Sequence, residues 1–167
     1  METFKFITLF IFLFLISCDR KKEDFDLTFY KWNIQGDYYL KFNSSDTVYL
    51  IIDNPIEKQT GYRLLDKNEK DKLTSFLSKL NFPVKEEFSN NVDDGLSYAF
   101  VYKNMVKKHK LYIHAKAGPN EFWNFGDFLQ QIKDGKNYIP IAKTFDLNDI
   151  RKMVSVPPPP NFKVNAR

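Results

Sequence analysis

Cys18 is the only cysteine of the 167-residue chain, and a single serine separates it from a preceding apolar stretch. A lone cysteine cannot form a disulfide within its chain, and it cannot supply a metal site built from several thiolates. Its thiol is still the most nucleophilic side chain that this sequence offers. The chemistry open to Cys18 is therefore decided by the residues around it.

The apolar stretch Phe6–Ile16 is uncharged and contains one polar residue, Thr8. As a helix it would extend roughly 16 Å, at about 1.5 Å per residue. The apolar core of a membrane is about 30 Å thick and requires about 20 residues. The stretch therefore has the length of a signal-peptide apolar region, and Lys5 supplies the preceding positive charge, although Glu2 offsets it.

The residues Leu15-Ile16-Ser17-Cys18 resemble the lipobox of bacterial lipoprotein precursors, which has an aliphatic, a tolerant, a small and an invariant cysteine position. The resemblance covers this motif alone. It implies that residues 1–17 are a cleaved signal peptide, that Cys18 carries a diacylglycerol thioether, and that the new amine is often acylated. Two or three acyl chains give stable membrane attachment, whereas one chain is marginal.

The residues after Cys18 resemble two different sorting signals. Asp19 resembles the signal that retains many Gram-negative lipoproteins in the inner membrane. Lys22-Glu23-Asp24 is similar to the surface-export signal of Bacteroidota-type lipoproteins, and abundant Lys, Asn, Ile, Phe and Tyr fit an AT-rich genome of that kind. We therefore expect the outer membrane or cell surface rather than the inner membrane.

Composition predicts one ordinary domain with an aromatic-rich core, because the chain has 17 Phe and 9 Tyr. We expect a polar tether at 18–26, a single domain at 27–156 and a proline-rich tail at 157–167. The net charge of +4 is spread along the chain, so no nucleic-acid partner is expected. Pro157–Pro160 is typical of a stiff solvated terminus, with docking into a partner's aromatic groove as the alternative.

Alternating and helical patterns predict an α+β fold: an antiparallel sheet of about five or six strands with two main helices packed on one face. The predicted strands are Leu27–Asn33, Tyr38–Asn43, Thr47–Ile52, Thr60–Leu65 and a hairpin of 96–103 with 107–115 around Asn104. Asp66 and Glu69 form the capping-box pattern of a first helix, and a second helix is predicted from Gly118 to about Lys133. We expect Lys136–Ile141 to be extended, a third short helix to be capped by Asp146, and Lys85–Asp94 to be a loop.

No catalytic set is recognisable. His109 and His114 lie five residues apart in a predicted strand, so they face opposite sides and are expected to be surface or edge residues. The sequence has no Gly-x-Ser-x-Gly motif and no phosphate-binding loop. We therefore expect no enzymatic activity, no cofactor and no metal.

The acidic clusters leave one catalytic alternative. Asp93-Asp94-Gly95 has the composition of a turn, yet Asp93 and Asp94, or Glu86-Glu87, could act as acid and base in glycoside hydrolysis. Asn90, Asn91, Asp93 and Asp94 are oxygen ligands suited to calcium, but their spacing is not that of an EF-hand loop. The turn interpretation is favoured.

The candidate partner surface comprises Lys107, Lys108, Lys110 and Trp123. The lysines, with Lys103, suit an anionic surface, lipid headgroups or an acidic partner, although lysines also protect exposed strand edges from pairing. Trp123 and Phe128 lie on the most aromatic helix, where core packing is the default and partial exposure the alternative.

These observations favour a lipid-anchored, non-catalytic binding or envelope-interaction module, the class to which inhibitor and immunity proteins belong. An envelope hydrolase using carboxylates and a purely structural envelope component remain the alternatives. Beyond the lipobox, the mature domain resembles no characterised family.

Overall fold

Eight strands form one mixed sheet in the computed structural model, which describes residues 24–54, 57–92 and 95–154. The strands are β1 (Phe25–Asn33), β2 (Gly36–Asn43), β3 (Thr47–Asp53), β4 (Lys58–Leu64), β5 (Glu87–Ser89), β6 (Ser97–Asn104), β7 (Lys108–His114) and β8 (Ile139–Pro140). The helices are α1 (Lys67–Lys79), α2 (Asn120–Asp134) and α3 (Asn148–Arg151). The sheet order is β5-β7-β6-β1-β2-β3-β4-β8, and β5–β7 is the parallel pair. The expected α+β class is confirmed.

The central strand β1 buries side chains on both of its faces. Leu27 and Phe29 point to one face and Tyr30 to the other, because successive side chains alternate along a strand. All three are at most 3% exposed. The sheet must therefore be covered on both sides, rather than on one side as the sequence suggested.

Helices α1 and α2 cover the first face. Leu73 of α1 and Phe125 of α2 belong to the same core cluster as Phe29 and Phe100 of the sheet. The rings of Phe100 and Phe125 stack with centroids 5.7 Å apart. This aromatic layer is the main core of the domain, as the composition predicted.

The second face is covered by the segment that contains α3. Leu147 and Ile150 are buried against Tyr30, Tyr39 and residues of β6. Asp146, the predicted cap of this helix, accepts a hydrogen bond from the Asn148 N–H at 2.9 Å, although the helix itself begins one residue later than that cap requires. This small second core brings α3 beside the β6–β7 hairpin.

The predicted capping box at the start of α1 is confirmed. The Asp66 side chain accepts from the Glu69 N–H and the Glu69 side chain accepts from the Asp66 N–H, both at 2.9 Å. Glu69 also forms a two-bond ion pair with Arg63 of β4. The cap therefore fixes α1 to the sheet as well as starting the helix.

The sheet is larger than the predicted five or six strands. β5 lies in 85–94, which was wrongly expected to be loop throughout, and β8 is a two-residue part of the predicted extended segment. Both strands are too short to show an alternating pattern, so their pairing depends on contacts with distant strands. β1 begins at Phe25, inside the segment expected to be a tether.

Several predictions fall outside the described residues. These are the signal peptide at 1–17, the lipid attachment at Cys18, the Asp93-Asp94 pair and the tail at 157–167. Within the described ranges, none of the helices has the length and apolar character needed to cross a bilayer.

Candidate functional sites

The turn between β6 and β7 is held by the side chain and backbone of Asn104. Asn104 Oδ1 accepts from the Val106 and Lys107 N–H groups at 3.0 and 2.8 Å, and the Asn104 N–H donates to the Lys107 carbonyl. This bonding closes the turn without using Met105 or Val106, whose side chains are 80% and 82% exposed. The tip therefore presents two adjacent apolar side chains to solvent on an ordered turn.

A lysine cluster lies directly behind this tip. Lys103 of β6 is paired in register with Lys108 of β7, and Lys110 lies two residues further along the same face. Like charges opposite each other destabilise a strand pair. Asp149 of α3 offsets this repulsion, since its carboxylate lies 2.6 Å from the Nζ of Lys108, 3.1 Å from that of Lys103 and 3.8 Å from that of Lys110.

The hydrogen bonds from Lys108 and Lys103 lower the pKa of Asp149 to about 2. Because the folded-state pKa is depressed below the usual 3.8, the stability from this cluster is present above pH 3.8 and lost as the pH falls through about 2. We expect a carboxyl-carbon NMR titration of Asp149 to have its midpoint near 2. Lys108→Gln should move that midpoint upward, and an unchanged midpoint would contradict the assigned contact.

Two grooves lie at opposite ends of the sheet. The first, of about 330 Å³, lies beside the tip and is lined by Phe25, Asp26, Lys103 and Met105 among others. The second, of about 530 Å³, lies between the β3–β4 edge and the segment before α3. In the second groove Arg151 pairs with Asp53. Both grooves mix polar and apolar side chains.

The second groove is cationic on one wall. Lys143 Nζ lies over the rings of Tyr49 and Phe145, 4.5 and 4.9 Å from their centroids. Asp53, the groove's carboxylate, is shared by Arg151 and by Lys58, whose Nζ is 3.7 Å away. Because Asp53 is already paired, the surplus positive charge of this groove suits an anionic group.

A Ser-His-Tyr network occupies the other end of the β6–β7 hairpin. Ser97 Oγ is 2.7 Å from His114 Nδ1 and 3.2 Å from the Tyr112 hydroxyl. His114 Nε2 is 2.6 Å from the Val92 carbonyl, which only accepts, so Nε2 carries a proton and donates. In the neutral imidazole, Nδ1 then accepts the Ser97 proton.

This geometry matches a nucleophile and its base, but the serine is not accessible. Ser97 is 1% exposed and His114 is 8% exposed, and neither lines either of the two grooves. A nucleophile must reach its substrate, so the network is best explained as satisfied buried polar groups that join β6, β7 and the preceding loop. Sequence reasoning missed Ser97.

The structure also corrects the prediction that both histidines are surface or edge residues. They do lie on opposite faces of β7, as expected, but His114 is buried rather than a surface residue. His109 is half-buried and stacks on Phe82 with centroids 4.9 Å apart. In the described ranges, no group of three or more His, Cys, Asp or Glu could hold a metal ion.

Trp123 lies in the core, which corrects the alternative of partial exposure. It is 3% exposed, its Nε1 donates to the Ala117 carbonyl at 2.8 Å, and Lys116 covers its ring. Phe128 is 8% exposed. The candidate partner surface is thus split: Lys107, Lys108 and Lys110 lie together at the hairpin, while Trp123 lies on the helical face with its ring enclosed.

Of the acidic candidates, the structure describes Glu86 and Glu87. Glu86 and Glu87 are exposed at the start of β5. Asn90 donates to the Ala115 carbonyl at 2.7 Å, which ties its loop to the end of β7. Asp93 and Asp94 lie outside the described residues.

Comparison with known proteins adds no further constraint. No family model, no curated protein and no solved structure matches the chain.

Proposed function

We propose that this protein is a lipid-anchored binding module of the bacterial cell envelope, held at the membrane by acyl chains on Cys18 and acting without catalysis. The observation that carries the proposal is the position of Cys18 between an apolar stretch and an immediately following folded domain. Residues 19–24 separate it from Phe25, the first residue of β1. Because an extended chain spans at most about 3.6 Å per residue, Phe25 lies within about 25 Å of the anchor.

The far end of the sheet supports the binding role. The groove beside Asp53 and Lys58 lies at the end of the sheet opposite to the end that receives the tether, where β3 turns into β4. Lys58, Lys143 and Arg151 outnumber Asp53 in this groove, and the surplus positive charge is available to an anionic segment of an envelope partner. We favour binding over hydrolysis because Ser97 is buried and because Glu86 and Glu87 are exposed and line neither groove.

Metabolic labelling with an alkyne analogue of palmitate tests the anchor. The wild-type protein should incorporate the label, and Cys18→Ala should not, because the acylated atoms belong to the cysteine and the amine exposed by cleavage. Ser17→Ala is the matched control, since it keeps a small residue at the cleavage site and should retain labelling. Equal labelling of all three proteins would overturn the assignment of Cys18.

Recovery from solubilised membranes tests the binding role. The lipidated protein should capture a stoichiometric envelope partner, and Lys143→Glu should weaken that capture because it reverses a charge in the groove. Failure to recover any stoichiometric partner would count against the module as a binder.

A further inference from the structure

The chain enters the domain beside the β6–β7 turn. Phe25 is paired in register with Asn104, the residue that closes this turn, and Asp26 is paired with Lys103. The turn therefore projects from the same end of the sheet that receives the tether. With the acyl chains on Cys18, the membrane surface lies within about 25 Å of Phe25.

Met105 and Val106 differ from the other exposed apolar residues. The large hydrophobic residues exposed in the described ranges are Ile34, Leu64, Val84, Val92, Met105, Val106 and Ile139. Met105 and Val106 are the one pair among them that is adjacent in sequence. Single exposed apolar residues are ordinary, whereas an exposed pair on an ordered turn adds up to a larger apolar surface.

Protection of an exposed strand edge explains the lysines of the hairpin but not the apolar residues at its tip. β5 pairs with Tyr112–His114 of β7, so the outer edge of Lys108–Leu111 has no strand partner in the part of the chain that the structure describes. Lysines there suit an exposed edge. Met105 and Val106 lie beyond the last paired residues, where they protect no edge, and Lys107 is exposed beside them.

We propose that the β6–β7 turn is a membrane-contact site, in which Met105 and Val106 enter the headgroup region while Lys103, Lys107 and Lys108 face the phosphates of anionic lipids. Apolar side chains beside lysines are the combination that binds bilayer interfaces. The occupant is a bilayer because the tether holds this end of the sheet next to one. The inference rests on the proposed lipid anchor.

Acidic residues at this end limit the attraction. Asp149 shares its carboxylate among Lys103, Lys108 and Lys110, while Asp26 is paired with Lys41 at 2.7 Å. Removing the Asp149 charge would free its lysines for phosphate groups. Asp149→Asn should therefore strengthen the contact with anionic lipid, and Lys107→Gln should weaken it.

Site-specific labelling of the lipidated protein tests the contact. Because lipid occupies the Cys18 thiol, Met105→Cys supplies a single free thiol for an environment-sensitive fluorophore. The control is Ile34→Cys, which lies in the turn after β1 at the opposite end and is 75% exposed in the native side chain. Both variants are reconstituted in phosphatidylcholine vesicles with and without phosphatidylglycerol, and emission is measured first without and then with brominated lipid as a quencher.

We expect a severalfold increase in emission and strong quenching at residue 105, greater with phosphatidylglycerol, and neither effect at residue 34. If the protein carries the acyl mass but the emission at both positions is equal and typical of water, the membrane contact is overturned while the anchor stands. A product without acyl mass would instead overturn the anchor on which the inference rests.

Discussion

Gly126→Ala is expected to destabilise the domain by about 3 kcal/mol, the upper part of the range for overpacked cores. A Cβ at this position would lie 2.3 Å from Cδ2 and Cε2 of Tyr98. The Tyr98 ring cannot move aside easily, because it is fully buried and its hydroxyl donates to Asp127 at 2.7 Å. The measurement is the free energy of unfolding by chemical denaturation.

Asn124→Ala is the matched control on the same helix, because Asn124 is exposed. It should change the free energy of unfolding by less than about 0.5 kcal/mol. Tyr98→Leu in the Gly126→Ala background removes the colliding ring, so the two substitutions together should cost less than the sum of each alone. Additive costs would show that the Gly126–Tyr98 contact does not limit the packing of α2 on the sheet.

Glu69→Gln is expected to cost about 3 kcal/mol, since it leaves the Arg63 charge buried without its counterion. Arg63 is 5% exposed, and its two terminal nitrogens each lie 2.8 Å from a carboxylate oxygen of Glu69. One of them also donates to the Ile132 carbonyl at 2.6 Å. Glutamine can still accept from the Asp66 N–H, so the substitution tests the charge more than the cap.

The ion pair predicts an acid dependence of stability. Burial raises the pKa of Glu69, but hydrogen bonds from Arg63 and from the Asp66 N–H outweigh burial and hold it below the usual 4.5. The stabilisation is therefore present above pH 4.5 and lost as the pH falls through the lowered pKa. Glu69→Gln should remove this part of the pH dependence in denaturation measured across the acidic range.

Lys70→Gln is the surface control, because Lys70 pairs with Asp46 at 2.7 Å with both side chains more than a third exposed. It should cost less than about 1 kcal/mol. Adding Arg63→Met to Glu69→Gln should cost less than Glu69→Gln alone, because no buried charge is left and the cap acceptor is kept. A larger cost for the double variant would contradict the unpaired charge as the source of the effect.

Local signals in the sequence predicted the elements whose cause is local. The capping box needs only Asp66 and Glu69, three residues apart, and the structure contains it. The second core was missed because Leu147 and Ile150 meet Tyr30 and Tyr39 over more than a hundred residues of chain. No local periodicity encodes which face such a segment will cover.

The Ser97–His114 pair was missed because the hairpin was predicted around Asn104, which is not the centre of the observed turn. A turn centred between Met105 and Val106 pairs each residue of β6 with one of β7, and extending that register places Ser97 opposite His114. The burial of this pair could not be predicted from the hairpin register, because it depends on the loop that brings the Val92 carbonyl to the imidazole. The exposure of Trp123 could not be predicted for a similar reason, because α2 is buried on more of its circumference than one apolar stripe.

Both membrane proposals require that Cys18, next to the domain, carries acyl chains. Intact mass spectrometry of the protein extracted from membranes measures this acylation most directly. We predict a mature chain that begins at Cys18, lacks residues 1–17 and carries the added mass of two or three acyl chains. A soluble, full-length product with a free thiol at Cys18 would contradict the lipid anchor and the proposed role that depends on it.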